Sequence, residues 1–221
     1  MQSFVKQVGK LVAHEAGVEW KNKQALTSLI VYALSSIFIT YLCFRQNIDP
    51  ITWNALFWII MLFAATNAVA KSFLQESKGL QFYHYTLLNP RAVILAKNIY
   101  NTLLLSGLGF LNYLCYSVLF DTHVENLSQF IIGLLLGCIG LSGTLTLVSG
   151  IVSRANNSAA LVAILAFPLL FPLLITIIHF TKNAIDGLAW SVNEPLLIVL
   201  VSLNTIILLL SYLLFPYLWR E

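Results

Sequence analysis

Residues Ser158 to Phe180 read SAALVAILAFPLLFPLLITIIHF, and none of them is Asp, Glu, Lys or Arg. A helix needs roughly 20 apolar residues to cross the ~30 Å hydrocarbon core of a bilayer, so this stretch is long enough to span it. The whole chain shares this bias, with 59% hydrophobic residues, 10% charged residues and a mean hydropathy of +0.84. Such a composition lies outside the usage of soluble domains and predicts an integral membrane protein.

Five further stretches have the length and composition of a membrane helix. Continuous apolar runs of this length exclude a membrane β-barrel, whose strands alternate in hydrophobicity over about ten residues. We therefore predict an all-α integral membrane protein with one membrane domain over residues 26–219. Its six predicted spans are Leu26 to Phe44, Trp53 to Ala70, Asn98 to Phe120, Leu127 to Val152, Ser158 to Phe180 and Leu196 to Trp219.

Positive charges are distributed unequally between the two sides of the predicted bundle. If the N-terminus is inside, the outer segments hold only Arg45 and Lys182 of the 12 Lys and Arg residues. Cytoplasmic loops are enriched in Lys and Arg, so both termini and the connection from Lys71 to Lys97 are predicted to face the cytoplasm. We expect a multi-pass membrane protein with this orientation.

The N-terminal 25 residues precede the first predicted span and have helical periodicity. Phe4, Val8, Leu11 and Val12 recur at the spacing of one helix face. This pattern predicts an amphipathic helix on the cytoplasmic membrane surface, with its lysines near anionic headgroups. The alternative is a simple positive anchor that only fixes orientation.

The connection 71–97 is the longest polar stretch between two predicted spans. Gly79 weakens the preceding helix, after which Leu80, Tyr83 and Leu87 fall on one helical face. Asn89-Pro90 ends that helix, because a residue before proline is pushed out of the α region. The pattern predicts a short amphipathic helix at the cytoplasmic surface between spans 2 and 3. This helix either binds a cytoplasmic partner or is only a linker at the membrane surface.

Glycines recur in the fourth predicted span at Gly133, Gly137, Gly140 and Gly143. Small residues at this spacing allow another membrane helix to approach closely, so we predict a packing face. The same segment contains GLSG around Ser142, the serine motif of rhomboid-type intramembrane proteases. A nucleophilic serine needs a base within hydrogen-bond reach, and the sixth span contains no histidine, so a protease is the distant alternative.

Two prolines, Pro168 and Pro172, lie four residues apart in the fifth span and are predicted to bend it. Three residues on the outer side, His123, His179 and Trp190, are candidates for contact with haem or with a periplasmic partner, or are simple interfacial residues. No spacing of His or of the three Cys residues matches a metal site, and we predict no directly bound cofactor.

The source of energy for any transport must lie outside this chain. The sequence contains no GxxxxGK[ST] motif, and no Asp, Glu, Lys or Arg lies near the centre of a predicted span. A P-loop nucleotide site and a proton-driven transporter therefore both lack their usual residues. If the protein moves a substrate against its gradient, a separate protein must hydrolyse the ATP, and the surface helix after span 2 is the natural contact.

Three stretches carry a family resemblance: HEAGVEWKNK (14–23), FLQESKGLQFYHYTLLNPRAVILAKNIYN (73–101) and GIVSRANNSAALVAILAFPLLFPLLI (150–175). Over essentially its whole length the chain resembles CcmB, the membrane subunit of the haem-exporter-type ABC complex of cytochrome c maturation. The family pattern after span 2 is an acidic residue, Gly, a small residue, Leu and Glu. Here Ser77 and Lys78 separate Glu76 from Gly79, and Gln81 stands where the family has Glu.

The resemblance implies a non-catalytic permease subunit that forms a homodimer and binds two copies of a CcmA-like ATPase. It also implies CcmC-like and CcmD-like membrane partners, a CcmE-like periplasmic haem chaperone, haem as the cargo and no nucleic acid partner. A membrane subunit of another ABC exporter, for lipid, polysaccharide or drug, is the alternative. The residues expected to couple to the ATPase are Gln75, Glu76, Gly79, Leu80, Gln81, Tyr83, His84, Leu87 and Pro90.

Overall fold

The computed structural model describes residues 4–21, 23–44, 48–74, 89–120, 124–155 and 159–218. Within these residues the protein contains seven α-helices and no strands. Six of them, all except the first, are long and apolar enough to cross a membrane, which confirms the prediction of an all-α protein with six spans. The helices are α1 (Phe4–Lys21), α2 (Lys23–Phe44), α3 (Pro50–Leu74), α4 (Pro90–Leu119), α5 (Leu127–Ala155), α6 (Ala159–Ile185) and α7 (Trp190–Leu218).

Two helices begin well before the limits expected from hydropathy. The third span was expected from Asn98 and the sixth from Leu196, whereas α4 begins at Pro90 and α7 at Trp190. The 30 residues of α4 make a helix of about 45 Å, which is longer than the ~30 Å hydrocarbon core. Hydropathy detects only the lipid-soluble part of a helix, so it missed the extra turns.

Successive spans run in opposite directions, so the bundle has two distinct ends. One end, the α1 end, contains the starts of α2, α4 and α6 and the ends of α3, α5 and α7. Residues 75–88, which join α3 to α4 in the chain, lie outside the described residues. The opposite end, the far end, contains the turn from Asp186 to Ala189 and the segment 124–126.

Helix α5 lies at the centre of the bundle. It packs against α3, α4, α6 and α7, while α2 packs against α1, α3 and α4. Its long run of buried residues from Gly140 to Gly150 reflects neighbours on every side. By contrast, large apolar side chains of α2, α6 and α7 are exposed, as expected for helices that face lipid.

Short polar contacts define the far end. Asp49 caps α3 by accepting a hydrogen bond from the Thr52 backbone N–H at 3.0 Å. Hydrogen bonds from Thr52 hold the pKa of the Asp49 carboxyl below its ordinary value. Gly187 closes the turn between α6 and α7 with φ +74, a conformation that L side chains rarely adopt.

Candidate functional site

Helix α4 begins with a capped first turn. Asn89 caps α4, because its Oδ1 accepts a hydrogen bond from the Arg91 backbone N–H at 3.1 Å. Pro90 occupies the first turn of α4, where its missing N–H costs nothing. The other predicted coupling residues lie outside the described residues: Gln75, Glu76, Gly79, Leu80, Gln81, Tyr83, His84 and Leu87.

The start of α4 is also held against the end of α7. The Arg91 guanidinium lies over the Tyr212 ring, 4.9 Å from its centroid. One helical turn further along, Ile94 packs with Phe215 in a small buried cluster. A cation over an aromatic face is attractive even at a partly exposed site. The first turn of α4 is therefore held both by its cap and by α7.

Helix α1 contacts α4 through two carboxylates that lie one helical turn apart. The Lys97 ammonium lies 2.9 Å from the Glu15 carboxylate, and the two side chains are 1% and 18% exposed. The Glu19 carboxylate hydrogen-bonds the side chain of Tyr100, three residues after Lys97. We call Glu15, Glu19, Lys97 and Tyr100 the clasp. A buried ammonium is tolerated only when it is paired, so the clasp fixes α1 against α4.

A row of polar side chains joins α4 to α5 just beyond the clasp. Asn98 Oδ1 accepts a hydrogen bond from Ser142 Oγ at 2.8 Å, and the Thr102 and Ser142 hydroxyls are 2.5 Å apart. Asn101 Nδ2 donates to Thr146 Oγ1 at 3.0 Å. We call these five residues the polar seam. In lipid, such bonds between helices satisfy groups that would otherwise be buried without partners.

The polar seam also accounts for the serine of the GLSG sequence. Ser142 is fully buried, and the hydrogen bonds that the structure gives it are to Asn98 and Thr102. An amide and a hydroxyl cannot act as the general base that a nucleophilic serine requires. His179 lies near the far end on the exposed side of α6. The geometry is that of a helix-packing contact.

Helix α3 makes its strongest polar contacts at the far end, with α6. Asn54 Nδ2 donates to the Ile178 carbonyl at 2.8 Å, and Trp58 Nε1 donates to Thr181 Oγ1 at 2.9 Å. Thr181 Oγ1 in turn lies 2.9 Å from Asn54 Oδ1. We call Asn54, Trp58 and Thr181 the far anchor. All three side chains are buried, so this end of α3 is held without access to water.

Aromatic side chains reinforce the far end of α3. The Trp53 ring meets the Tyr116 ring of α4 edge to face at 5.2 Å and the Phe130 ring of α5 at 5.8 Å. Phe57 contacts the same two rings at 5.8 and 5.6 Å. Aromatic pairs in this geometry add about 0.5–1.5 kcal/mol each beyond their buried area. The far end of α3 is therefore bound to α4, α5 and α6 together.

The four predicted packing glycines line the surface of α5 where its neighbours come closest. A Cβ added at Gly140 would lie 2.6 Å from the Leu173 side chain, and one at Gly143 would lie 3.1 Å from Ile207. At Gly137 the added atom would run into the Trp58 indole. The structure thus places at each glycine a side chain from another helix: Thr181 at Gly133, Trp58 at Gly137, Leu173 at Gly140 and Ile207 at Gly143.

The remaining predicted site residues are not brought together. Pro168 and Pro172 lie inside α6, which is helical from Ala159 to Ile185, and Thr176 Oγ1 donates to the Pro172 carbonyl at 2.8 Å. His179 and Trp190 are both exposed and lie on different helices. His123 lies outside the described residues. Within the described part of the chain, no group of three or more His, Cys, Asp or Glu residues is placed to hold a metal ion.

Sequence reasoning missed the clasp. Lys97 was assigned to the cytoplasmic connection as one more positive charge, yet it is among the most deeply buried side chains of α4. A signal was present: Glu15 and Glu19 are spaced i, i+4, and Lys97 and Tyr100 are spaced i, i+3, so each pair lies on one helix face. Periodicity indicates which residues share a face but does not pair two helices.

The chain matches one known protein family over most of its length. The family described as CcmB protein matches residues 8–216, nearly the whole chain. No match is found among curated proteins. The family comprises membrane permease components of the haem-exporting ABC system, which fits the six apolar spans and the non-catalytic setting of Ser142. The chain therefore belongs to the CcmB protein family, whose members are transmembrane ABC transporter subunits of haem transport and cytochrome c biogenesis.

Proposed function

We propose that this chain converts the motion of a separate ATPase into a rearrangement of its membrane bundle, and that this rearrangement drives either haem export or the release of a haem-loaded periplasmic chaperone. The observation that carries the proposal is the family match over residues 8–216. The way α4 is held at the connection 75–88 supports it. A helix start that is capped and paired in this way resists local unwinding, so a displacement applied before it would move the helix as a unit.

The proposed assembly follows from the family and from the charges. Two copies of the chain form a homodimer and bind two copies of a CcmA-like ATPase at the connection 75–88, with ATP bound only by that partner. CcmC-like and CcmD-like membrane proteins and a CcmE-like haem chaperone complete the complex. The α1 end faces the cytoplasm of the bacterial inner membrane, because it contains most of the chain's Lys and Arg residues.

The contact with the ATPase is tested by co-purification. In the predicted coupling helix, Leu80 and Tyr83 share the apolar face, and replacing both with Asp places two charges in an apolar groove of the partner. We expect the ATPase to be lost from the double variant. Tyr85→Asp adds a carboxylate on the opposite side of the predicted helix and should retain the ATPase. If the ATPase stays bound to Leu80→Asp with Tyr83→Asp, the contact is assigned to the wrong residues.

The two proposed outputs differ in the state of the chaperone. Cells that lack this chain should fail to attach haem covalently to c-type cytochromes, as measured by haem staining after denaturing electrophoresis. If the chain drives haem export, the chaperone in these cells will carry no haem. If it drives release, haem-loaded chaperone will accumulate. Normal cytochromes c in these cells would instead favour another ABC exporter with a lipid, polysaccharide or drug cargo.

A further inference from the structure

The two spans that flank the connection 75–88 are fastened at opposite ends of the bundle. Helix α4 is held at the α1 end by the clasp, by the polar seam and by the Arg91 contact with Tyr212. Helix α3 is held at the far end by the far anchor and by the rings around Trp53. A displacement applied between the two helices therefore acts on the start of α4, which is held in place, and on the end of α3, which lies far from the far anchor.

The contacts of α3 at the α1 end are of a different kind. Its buried residues there include Ala64, Ala65, Ala68 and Val69, which present a smooth surface of small side chains. Over residues 64–69, the hydrogen bond that the structure shows between α3 and another helix is donated by Ser149 Oγ of α5 to the Val69 carbonyl, at 3.5 Å. That length is the outer limit of a hydrogen bond. A shift of residues 64–69 therefore breaks no short interhelical hydrogen bond that the structure shows.

We infer that α3 pivots about the far anchor while α4 stays with α1 and α5, so that Asn54, Trp58 and Thr181 are positioning residues for the coupled motion. The inference rests on the proposed function, since a partner must supply the displacement at 75–88. From Trp58 to Leu74 the helix extends about 24 Å, and a tilt of about 10° would move its end by about 4 Å. The far end would barely move.

Matched spin-label pairs measure this directly. Asn67 of α3 and Ile99 of α4 are both exposed in the α1 half, and Ile51 and Val118 are exposed at the far end of the same two helices. Asn67 lies about 17 Å along α3 from the midpoint of Asn54 and Trp58, so in the complex with the ATPase trapping with ATP and vanadate should change the Asn67–Ile99 distance by about 3 Å. Ile51 lies only about 8 Å from the same point, so the Ile51–Val118 distance should change by only about 1 Å.

Two reversible cross-links provide the functional test, in a background where Cys43, Cys115 and Cys138 are replaced by Ala. Val69→Cys with Ser149→Cys joins α3 to α5 at the α1 end, and Asn54→Cys with Thr181→Cys joins α3 to α6 at the far anchor. Oxidation of the first pair should lower the ATP-dependent output at least tenfold and reductant should restore it. Oxidation of the second pair should change the output less than twofold relative to the reduced form of the same variant, because the disulfide joins α3 to α6 where the hydrogen bonds of the far anchor did.

The outcomes separate the pivot from the proposed function. If the ATPase does not bind the chain at all, the proposed function fails. If the complex forms and both label pairs move equally, or only the far pair moves, the pivot is wrong and the function is unaffected. A cross-link at the far anchor that inhibits as strongly as the one at the α1 end would also overturn the pivot. Because the labels occupy exposed sites, the distance measurement remains decisive even if a buried cysteine pair prevents folding.

Discussion

The ion pair between Glu15 and Lys97 predicts an unequal response to removal of its two partners. Lys97 is 1% exposed and Glu15 is 18% exposed. Glu15→Leu removes the carboxylate that faces a buried ammonium, whereas Lys97→Met leaves a carboxylate that retains some contact with solvent. Removal of one partner from a buried pair costs about 3–5 kcal/mol, and we expect about 3 kcal/mol for Glu15→Leu because the pair is not fully buried. For Lys97→Met we expect about 1 kcal/mol.

Replacement of both partners leaves neither charge of the pair in the buried site. The double variant Glu15→Leu with Lys97→Met should have a free energy of unfolding within about 1 kcal/mol of the parent, since well-packed apolar residues often substitute for a buried ion pair without loss. The double-mutant cycle therefore predicts a coupling energy of about 3 kcal/mol. For Glu15→Leu alone, the melting temperature should fall by about 6–12 °C, at about 2–4 °C per kcal/mol.

The assay is reversible unfolding of the purified chain in mixed micelles with an increasing fraction of dodecyl sulfate, followed by circular dichroism. Glu194→Leu is the matched control, because Glu194 is an exposed carboxylate on α7, and it should change stability by less than about 0.5 kcal/mol. Equal costs for the two single variants, or a double variant as unstable as their sum, would refute the assignment of a buried ion pair with unequal exposure.

Three further predictions use the same unfolding assay. Gly137→Ala should lower the free energy of unfolding by about 1–3 kcal/mol, because the new methyl group meets the Trp58 indole. Gly107 has open space around it, so Gly107→Ala should be neutral or stabilising by up to about 1 kcal/mol. Similar effects at the two sites would contradict the packing role. Ser142→Ala should cost about 0.6–2 kcal/mol through lost interhelical hydrogen bonds, and native Ser142 should not react with a fluorophosphonate; labelling would revive the protease alternative. Asn112→Leu should stabilise by about 1–2 kcal/mol because both side-chain polar atoms of this buried residue find no hydrogen-bond partner among the described residues; destabilisation would indicate a partner in the folded state.

The number of spans could be predicted from sequence because the bilayer imposes a length and a composition on every spanning helix. Ser158 to Phe180 illustrates this, since a run without charge over that distance has few other uses in a protein. Helix limits at the surface are less constrained. Lys97 stopped the predicted third span at its charge, although α4 continues back to Pro90, because hydropathy cannot recognise a charge that another helix neutralises.

The candidate site was predictable only in part for a related reason. The Asn89-Pro90 boundary is local chemistry, and it coincides with the cap of α4. Which helices hold α3 and α4 is a matter of tertiary pairing. The Asn54 bond to Ile178 joins residues 124 apart in the chain, and the Asn98 bond to Ser142 joins residues 44 apart. Sequence patterns on a single helix contain no information about such partners.

The glycine surface of α5 has a consequence for the evolution of this chain. Every missense change that one base substitution can produce in a glycine codon adds at least a Cβ. At Gly137 that atom meets the Trp58 indole, which itself belongs to the far anchor, so a tolerated change there requires a second, simultaneous change on α3. A saturation mutational scan should therefore show Gly137 and Trp58 as a linked pair, each intolerant alone. Neutral substitutions in α5 would therefore accumulate at positions that need no compensating change on another helix.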